Sequence, residues 1–184
     1  VRATWTVGPA SASGELNYRI QVLGRYTHSQ YNTPRESRCT GALASAYITN
    51  AQCRFTPTTL RSDFIDRVNT NGSGRSISFG DVQREVFCLG VPGAPADAAR
   101  ISFRQQGIRA ACVGEALGNA TVARRPGHRD LDCGDQVFIA QVGVKTVTDL
   151  CPGCAVAQLD NYTLDERCAG ITGLGDFMTI KIFP

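Results

Sequence analysis

Two aspartates stand where acid–base chemistry could be done. Asp149 ends the run Val147-Thr148-Asp149, Asp160 ends the apolar run before it at Leu159, and the two are 11 positions apart. Between them Cys151-Pro152-Gly153-Cys154 makes a turn. Cleaving a glycosidic bond needs a carboxyl that stays protonated near neutral pH and hands its proton to the leaving oxygen. Asp160, after Leu159 and before Tyr162, is the candidate acid, and a neighbouring Asp149 would raise its pKa by like-charge repulsion added to desolvation. The structural alternative is that Asp160 caps a turn or a helix starting near Leu164.

Other constellations carry less chemistry. Cys151 and Cys154 have thioredoxin-like spacing, but they follow a strand instead of opening a helix, so they read as a covalent brace between the two acids. His28 and His128 are too few for a zinc site, and no His-Glu-x-x-His or Gly-x-Ser-x-Gly occurs, so neither metal nor cofactor is expected. The glycine-rich stretch 71–76 lacks the Lys-Ser/Thr ending that a phosphate loop needs. Arg124, Arg125 and Arg129 could meet an anionic polymer or form a solvated loop. The polar and aromatic segment 25–31 reads either as groove-lining, with Tyr26, Thr27 and His28 as substrate contacts, or as a surface loop. Tyr162 and Asp132 complete the candidate substrate-binding set.

The elements that must position these residues are short strands. Tyr18, Ile20 and Val22 alternate with polar residues up to Gly24, and Met178, Ile180 and Ile182 alternate in a closing strand. Val137 to Ala140 is a continuous apolar run, the mark of a strand buried on both faces. Residues 101–103 and 108–113 read as short strands. Leu60, Phe64, Ile65 and Val68 recur at helical spacing within 56–68, with Thr58 or Thr59 as cap, and Leu164, Cys168 and Ile171 fit a second short helix. Many short strands and 19 glycines predict a small β-barrel with short helices and disulfide-braced loops.

At 184 residues the chain is read as one domain: a lead-in over 1–17, a first barrel strand with a helical and loop insertion over 18–100, and a barrel core over 101–184. A net charge of +3 is too mild to argue for nucleic acid. Eight cysteines read as four disulfides formed in an oxidising compartment, with their pairing open. No stretch has the length and apolarity of a membrane span, and the first residues lack a signal peptide's apolar core, so a secreted monomer in mature form is expected. Asn71, Asn119 and Asn161 begin glycosylation sequons.

Gly134-Asp135-Gln136-Val137-Phe138-Ile139, then Val147-Thr148-Asp149, then Leu159-Asp160 resemble the double-psi β-barrel wall enzymes. These are the membrane-bound lytic transglycosylase A family and the three-aspartate muralytic domains, with RlpA-like, expansin and family-45 endoglucanase barrels more distant. A softer likeness covers Phe64-Ile65-Asp66-Arg67-Val68 through Asp81-Val82-Gln83. The resemblance implies a six-stranded double-psi barrel, peptidoglycan as substrate, and Asp160 as the catalytic aspartate with Asp149 as its partner. Two positions depart from the pattern. Arg125 replaces the first aspartate, with Asp130 or Asp132 as stand-ins, and the Cys-Pro-Gly-Cys turn replaces Gly-Gly. A single aspartate acting as acid and then base would give a 1,6-anhydro product. A second carboxylate roughly 6.5–9.5 Å away, from Asp149, Asp130, Asp132 or Glu115, would give inverting hydrolysis. The rival readings are a family-45 β-1,4-glucanase and a non-catalytic expansin-, barwin- or inhibitor-like module.

Overall fold

Period-2 alternation in the last third of the chain closes a barrel. The computed structural model describes residues 2–3, 16–17 and 19–183. Tyr18 and positions 8–14 of the expected lead-in lie outside the described residues. The strands of the first half are β1 (Arg2–Ala3), β2 (Leu16–Asn17), β3 (Arg19–Tyr31), β4 (Leu43–Thr49) and β5 (Phe55–Arg61). Helix α1 (Ser62–Asn71), β6 (Ser73–Ser76), β7 (Gly80–Arg84), α2 (Ala98–Ile101) and β8 (Ser102–Gln105) follow. The chain ends with β9 (Thr121–Arg124), β10 (Gln136–Ile139), β11 (Gly143–Leu150), β12 (Gln158–Tyr162) and β13 (Thr172–Phe183).

Six strands close in the order β10-β11-β9-β12-β3-β13, a closed barrel with the strand number that the resemblance implied. The β11–β9 and β12–β3 pairs are parallel and the other pairs antiparallel. Closure leaves no unpaired sheet edge. Tyr26, Val122, Leu131, Val137, Val147 and Leu159 fill the interior. A barrel wall has one packed face, and this corrects two readings. Phe138 points outward between the fully buried Val137 and Ile139, so the 137–140 run is not buried on both sides. The alternation at Ile20 and Val22 puts its apolar side toward solvent, and β3 runs on past Gly24, a φ +103° residue, to Tyr31. The 25–31 segment is therefore strand and not loop.

The insertion builds a second sheet, ordered β5-β4-β8-β7-β6, with its own core of Ile48, Leu60, Phe64, Val68, Val82 and Phe103. The strand expected at 101–103 belongs here, pairing in parallel with β4. Helix α1 starts six residues later than the periodicity suggests. The β-branched residues of 55–61 are taken up by seven cross-strand pairs with β4 before the helix begins, so neither Thr58 nor Thr59 caps it. Gly72, at φ +86°, ends α1, and Gly74 must lack a side chain because a Cβ there would lie 2.6 Å from Val68 and 2.7 Å from Phe64. No strand forms over 108–113, and 163–171 is a loop instead of a helix. That loop is tied down by Cys39–Cys168 and by Glu166, which pairs with Arg35 and Arg75.

The remaining disulfides are Cys53–Cys88, Cys112–Cys133 and Cys151–Cys154. Four disulfides fit an extracellular location. Among the described residues no helix is long and apolar enough to cross a membrane. Asn161 is 1% exposed inside the barrel wall, where a glycan has no room in the folded chain. Arg124 ends β9 and is buried, leaving Arg125 and Arg129 as the exposed arginines of the loop that follows.

Candidate active site

A β-bulge sets the position of Asp149. The pairing of β11 on β9 runs Thr146 with Thr121 and Val147 with Val122, then skips Thr148 and puts Asp149 beside Ala123. Val147 and Val122 face the barrel interior, so strict alternation would send Asp149 inward as well. The extra residue turns it onto the outer face, a common use of bulges beside functional sites. On the other side of β9, antiparallel pairing sets Asp160 beside the same Ala123. Two acids thus flank one alanine across three adjacent strands, with backbones roughly 10 Å apart from two inter-strand spacings. The methyl group of Ala123 leaves the space between them open.

The two carboxyls have opposite surroundings. Asp149 is satisfied: Tyr31 Oη donates to Oδ2 at 2.5 Å and the Ala111 N–H donates to Oδ1 at 2.7 Å. Burial, then the Asp149 charge and that hydrogen bond, push the Tyr31 phenol far above its ordinary pKa, so it stays a donor. Asp160 is 3% exposed, and its Oδ1 has no partner among the described residues. Its Oδ2 lies 3.3 Å from Cys151 Sγ, a disulfide sulfur with no proton to give. Burial pushes Asp160 above the usual carboxylate range, with the Gln158 side chain pulling the other way. The expected repulsion from Asp149 is not what raises it; desolvation is.

Both acids line a groove of about 500 Å³ between the outer barrel face and the insertion. Tyr31, Ala123 and Gln158 form the barrel wall, and the end of α1 and Arg84 form the opposite one. Pro152 and Gly153 of the disulfide-closed turn make a rim. Asn69 and Asn71 line the groove with their side-chain oxygens unpartnered. Their amide nitrogens are anchored, Asn69 to the Arg100 carbonyl at 2.7 Å and Asn71 to Asn32 Oδ1 at 2.8 Å.

The other sequence candidates are placed elsewhere. Tyr26 and His28 are buried in the barrel. His28 contacts Thr179 Oγ1 at 3.0 Å and Asn161 Nδ2 at 3.3 Å, and burial, against the opposing pull of Asp176, lowers its pKa to about 4. Tyr26 stacks on His128. Thr27 is exposed and donates to Asp176 at 2.8 Å. Tyr162 supports the site from the side, packed edge-on against Tyr31 with ring centres 5.3 Å apart. Asp132 is exposed in a loop closed by its own N–H to Asp135, and neither it, Asp130 nor Glu115 lines the groove. Cys151, Cys154 and Asp160 lie close together, but both sulfurs are committed to their disulfide and do not offer metal ligands.

Sequence reading passed over Tyr31, Gln158, Asn69 and Asn71. Tyr31 sits in the segment taken as groove-lining, two positions beyond its alternation partner Ser29. The asparagines had no signal, because only the folded insertion brings the end of α1 to the barrel.

No protein-family model and no curated protein sequence matches this chain. Among solved structures it is similar to E. coli MltA with bound chitohexaose, at a TM-score of 0.54 and 11% identity over 86% of this chain and 71% of that one. At that identity the likeness is one of fold.

Proposed function

We propose that this protein is a glycosidase that cleaves the glycan strand of peptidoglycan, with Asp160 as general acid and Asp149 as the charged partner. The observation that carries the reading is the asymmetry of the pair: in one groove, a buried acid with one oxygen unpartnered stands beside a carboxylate whose oxygens both accept hydrogen bonds. Burial raises the pKa of Asp160, the direction a proton donor needs. The likeness to MltA, a lytic transglycosylase fold crystallised with a hexasaccharide, supports a glycan in the groove.

In the first step the Asp160 carboxyl protonates the glycosidic oxygen as the bond to C1 breaks. Asp149, held by Tyr31 and the Ala111 N–H, faces the positive charge that develops on the sugar. Asp160, now a carboxylate, then takes a proton from the sugar's own C6 hydroxyl, giving an anhydro end. Alternatively Asp149 activates water, giving a reducing end. The family-45 glucanase reading needs an aspartate from the first barrel strand, and 19–31 contains none. Secretion and a monomeric state belong to the same proposal.

Purified protein should clear a suspension of Gram-positive cell walls, and Asp160→Asn should abolish clearing. Mass spectrometry of the fragments separates the two products. Walls that are bound but left intact across several pH values would overturn the enzyme reading in favour of a binding module.

A further inference from the structure

A second cavity, of about 470 Å³, opens at the end of the barrel where β10 turns into β11. It is lined from inward-facing positions of four strands: Gln30 of β3, Lys145 of β11, Asn161 of β12 and Phe177 of β13. The register fixes this. Lys145 stands opposite the core residue Val137, Asn161 opposite Val122, and Phe177 opposite Tyr26. The cavity is thus the mouth of the barrel, a common place for small-ligand sites.

Three features define its chemistry. Among the described residues no carboxylate lines it, so Lys145, whose ammonium donates only to the Asn119 carbonyl, has no counter-charge there. Burial lowers the Lys145 pKa, the mark of a cation short of solvation. Asn161 is 1% exposed and its Oδ1 has no donor. Its Nδ2 donates to the Ser29 carbonyl at 3.1 Å, and turning the amide over would set oxygen against oxygen, so the orphan acceptor is fixed in place. Val142, Leu174 and Phe177 supply an apolar floor.

A neutral sugar would leave Lys145 unpaired, and a bare inorganic anion would leave Asn161 Oδ1 and the apolar floor unused. We propose that the barrel mouth binds the carboxylate end of an N-acylated amino acid or short peptide. The carboxylate sits on Lys145, the amide N–H on Asn161 Oδ1, and a small side chain on Phe177 and Leu174. The polymer proposed for the groove carries such peptide carboxylates, yet binding at the mouth requires no bond cleavage and is measured without it.

The test is an NMR titration of the intact, disulfide-bonded protein with N-acetyl-alanyl-alanine, its C-terminal amide, and N-acetylglucosamine. The acid should saturably shift resonances of residues 141–145, 161–163 and 174–177, at least tenfold more tightly than the amide. Lys145→Met should remove that preference, and its spectrum reports whether it folds. The comparison of acid with amide on the unaltered protein does not depend on the variant. Equal binding of acid and amide, no shifts in these segments, or stronger shifts from the sugar would each overturn the proposal.

Discussion

Replacing Asp160 by asparagine should remove activity and raise stability, with the gain depending on pH in a stated direction. Asp160 is 3% exposed, one oxygen has no partner, and the other faces a disulfide sulfur. An ionised carboxylate there has one oxygen without a donor, and leaving a buried polar group unsatisfied costs about 1–3 kcal/mol, more when it is charged. Its folded pKa is raised above the unfolded value by burial. The folded state therefore holds the proton more tightly, and stability is full below the unfolded pKa of about 3.9 and falls as pH rises through the folded pKa. Asparagine cannot ionise and escapes that loss. At pH 7 Asp160→Asn should be about 1–3 kcal/mol more stable than the parent, or about 2–4 °C in Tm per kcal/mol for a chain of this size, with the difference closing near pH 3.5. Wall-clearing activity should fall by about 10²–10⁴, the usual contribution of a general acid. Urea denaturation at pH 3.5 and 7 with disulfides intact, alongside turbidity assays, measures both. A stability difference that does not change between those pH values, or a variant keeping more than a tenth of the activity, refutes the assignment.

Tyr31→Phe removes one of the two donors to Asp149 and should cost about 1–3 kcal/mol in urea denaturation while lowering turnover more than binding. Ala123→Leu fills the space between the acids, so it should cut wall clearing at least tenfold at a stability cost of about 1–3 kcal/mol, read from the same two assays. Fully buried Glu85 is pushed up by burial but brought below its ordinary pKa by the Thr49 hydroxyl and the Cys88 and Phe87 N–H groups. Its stabilisation is present above the unfolded pKa and lost as pH falls through the folded one. Glu85→Gln should therefore cost about 1.5–3 kcal/mol at pH 7 and much less below pH of about 4 in a denaturation series. Removing Cys39–Cys168, which spans 129 positions, should cost about 4–5 kcal/mol by loop-closure entropy, against about 2 kcal/mol for Cys151–Cys154, which spans 3.

The barrel was legible because its strands carry local signals: apolar alternation in 178–182, a short apolar run at 137–140, and two acids at the ends of their runs. The second sheet was not. Its strands β4 and β5 are rich in Ala, Ser and Thr, which alternate weakly, and its hydrophobic signal is concentrated in α1, so the insertion read as a helix with loops. Within the site, Asp149 and Asp160 were recognisable from their spacing, but their surroundings were not. The partners of Asp149 come from positions 31 and 111, and no local pattern joins those to 149. Tyr26 and His28 were misplaced for a simpler reason. In a strand, every second residue of a polar-aromatic run points inward, and those two fell on the inward phase while Thr27, Ser29 and Tyr31 fell on the outward one.

Phase also explains why the groove lies on the outside of the barrel. A small closed barrel has an interior filled by side chains, which leaves no room there for a polymer. Chemistry on a long chain must then use the outer wall, where a flat sheet face offers neither burial nor pKa control. Two devices supply both. The bulge at Thr148 carries Asp149 from the inward to the outward phase, onto the same Ala123 that faces Asp160. The insertion lays the end of α1 across that face, so that residues on an outer barrel surface become 3% and 9% exposed. Either device alone would fail. Without the bulge Asp149 would point into the apolar core, and without the insertion Asp160 would lose the burial that raises its pKa.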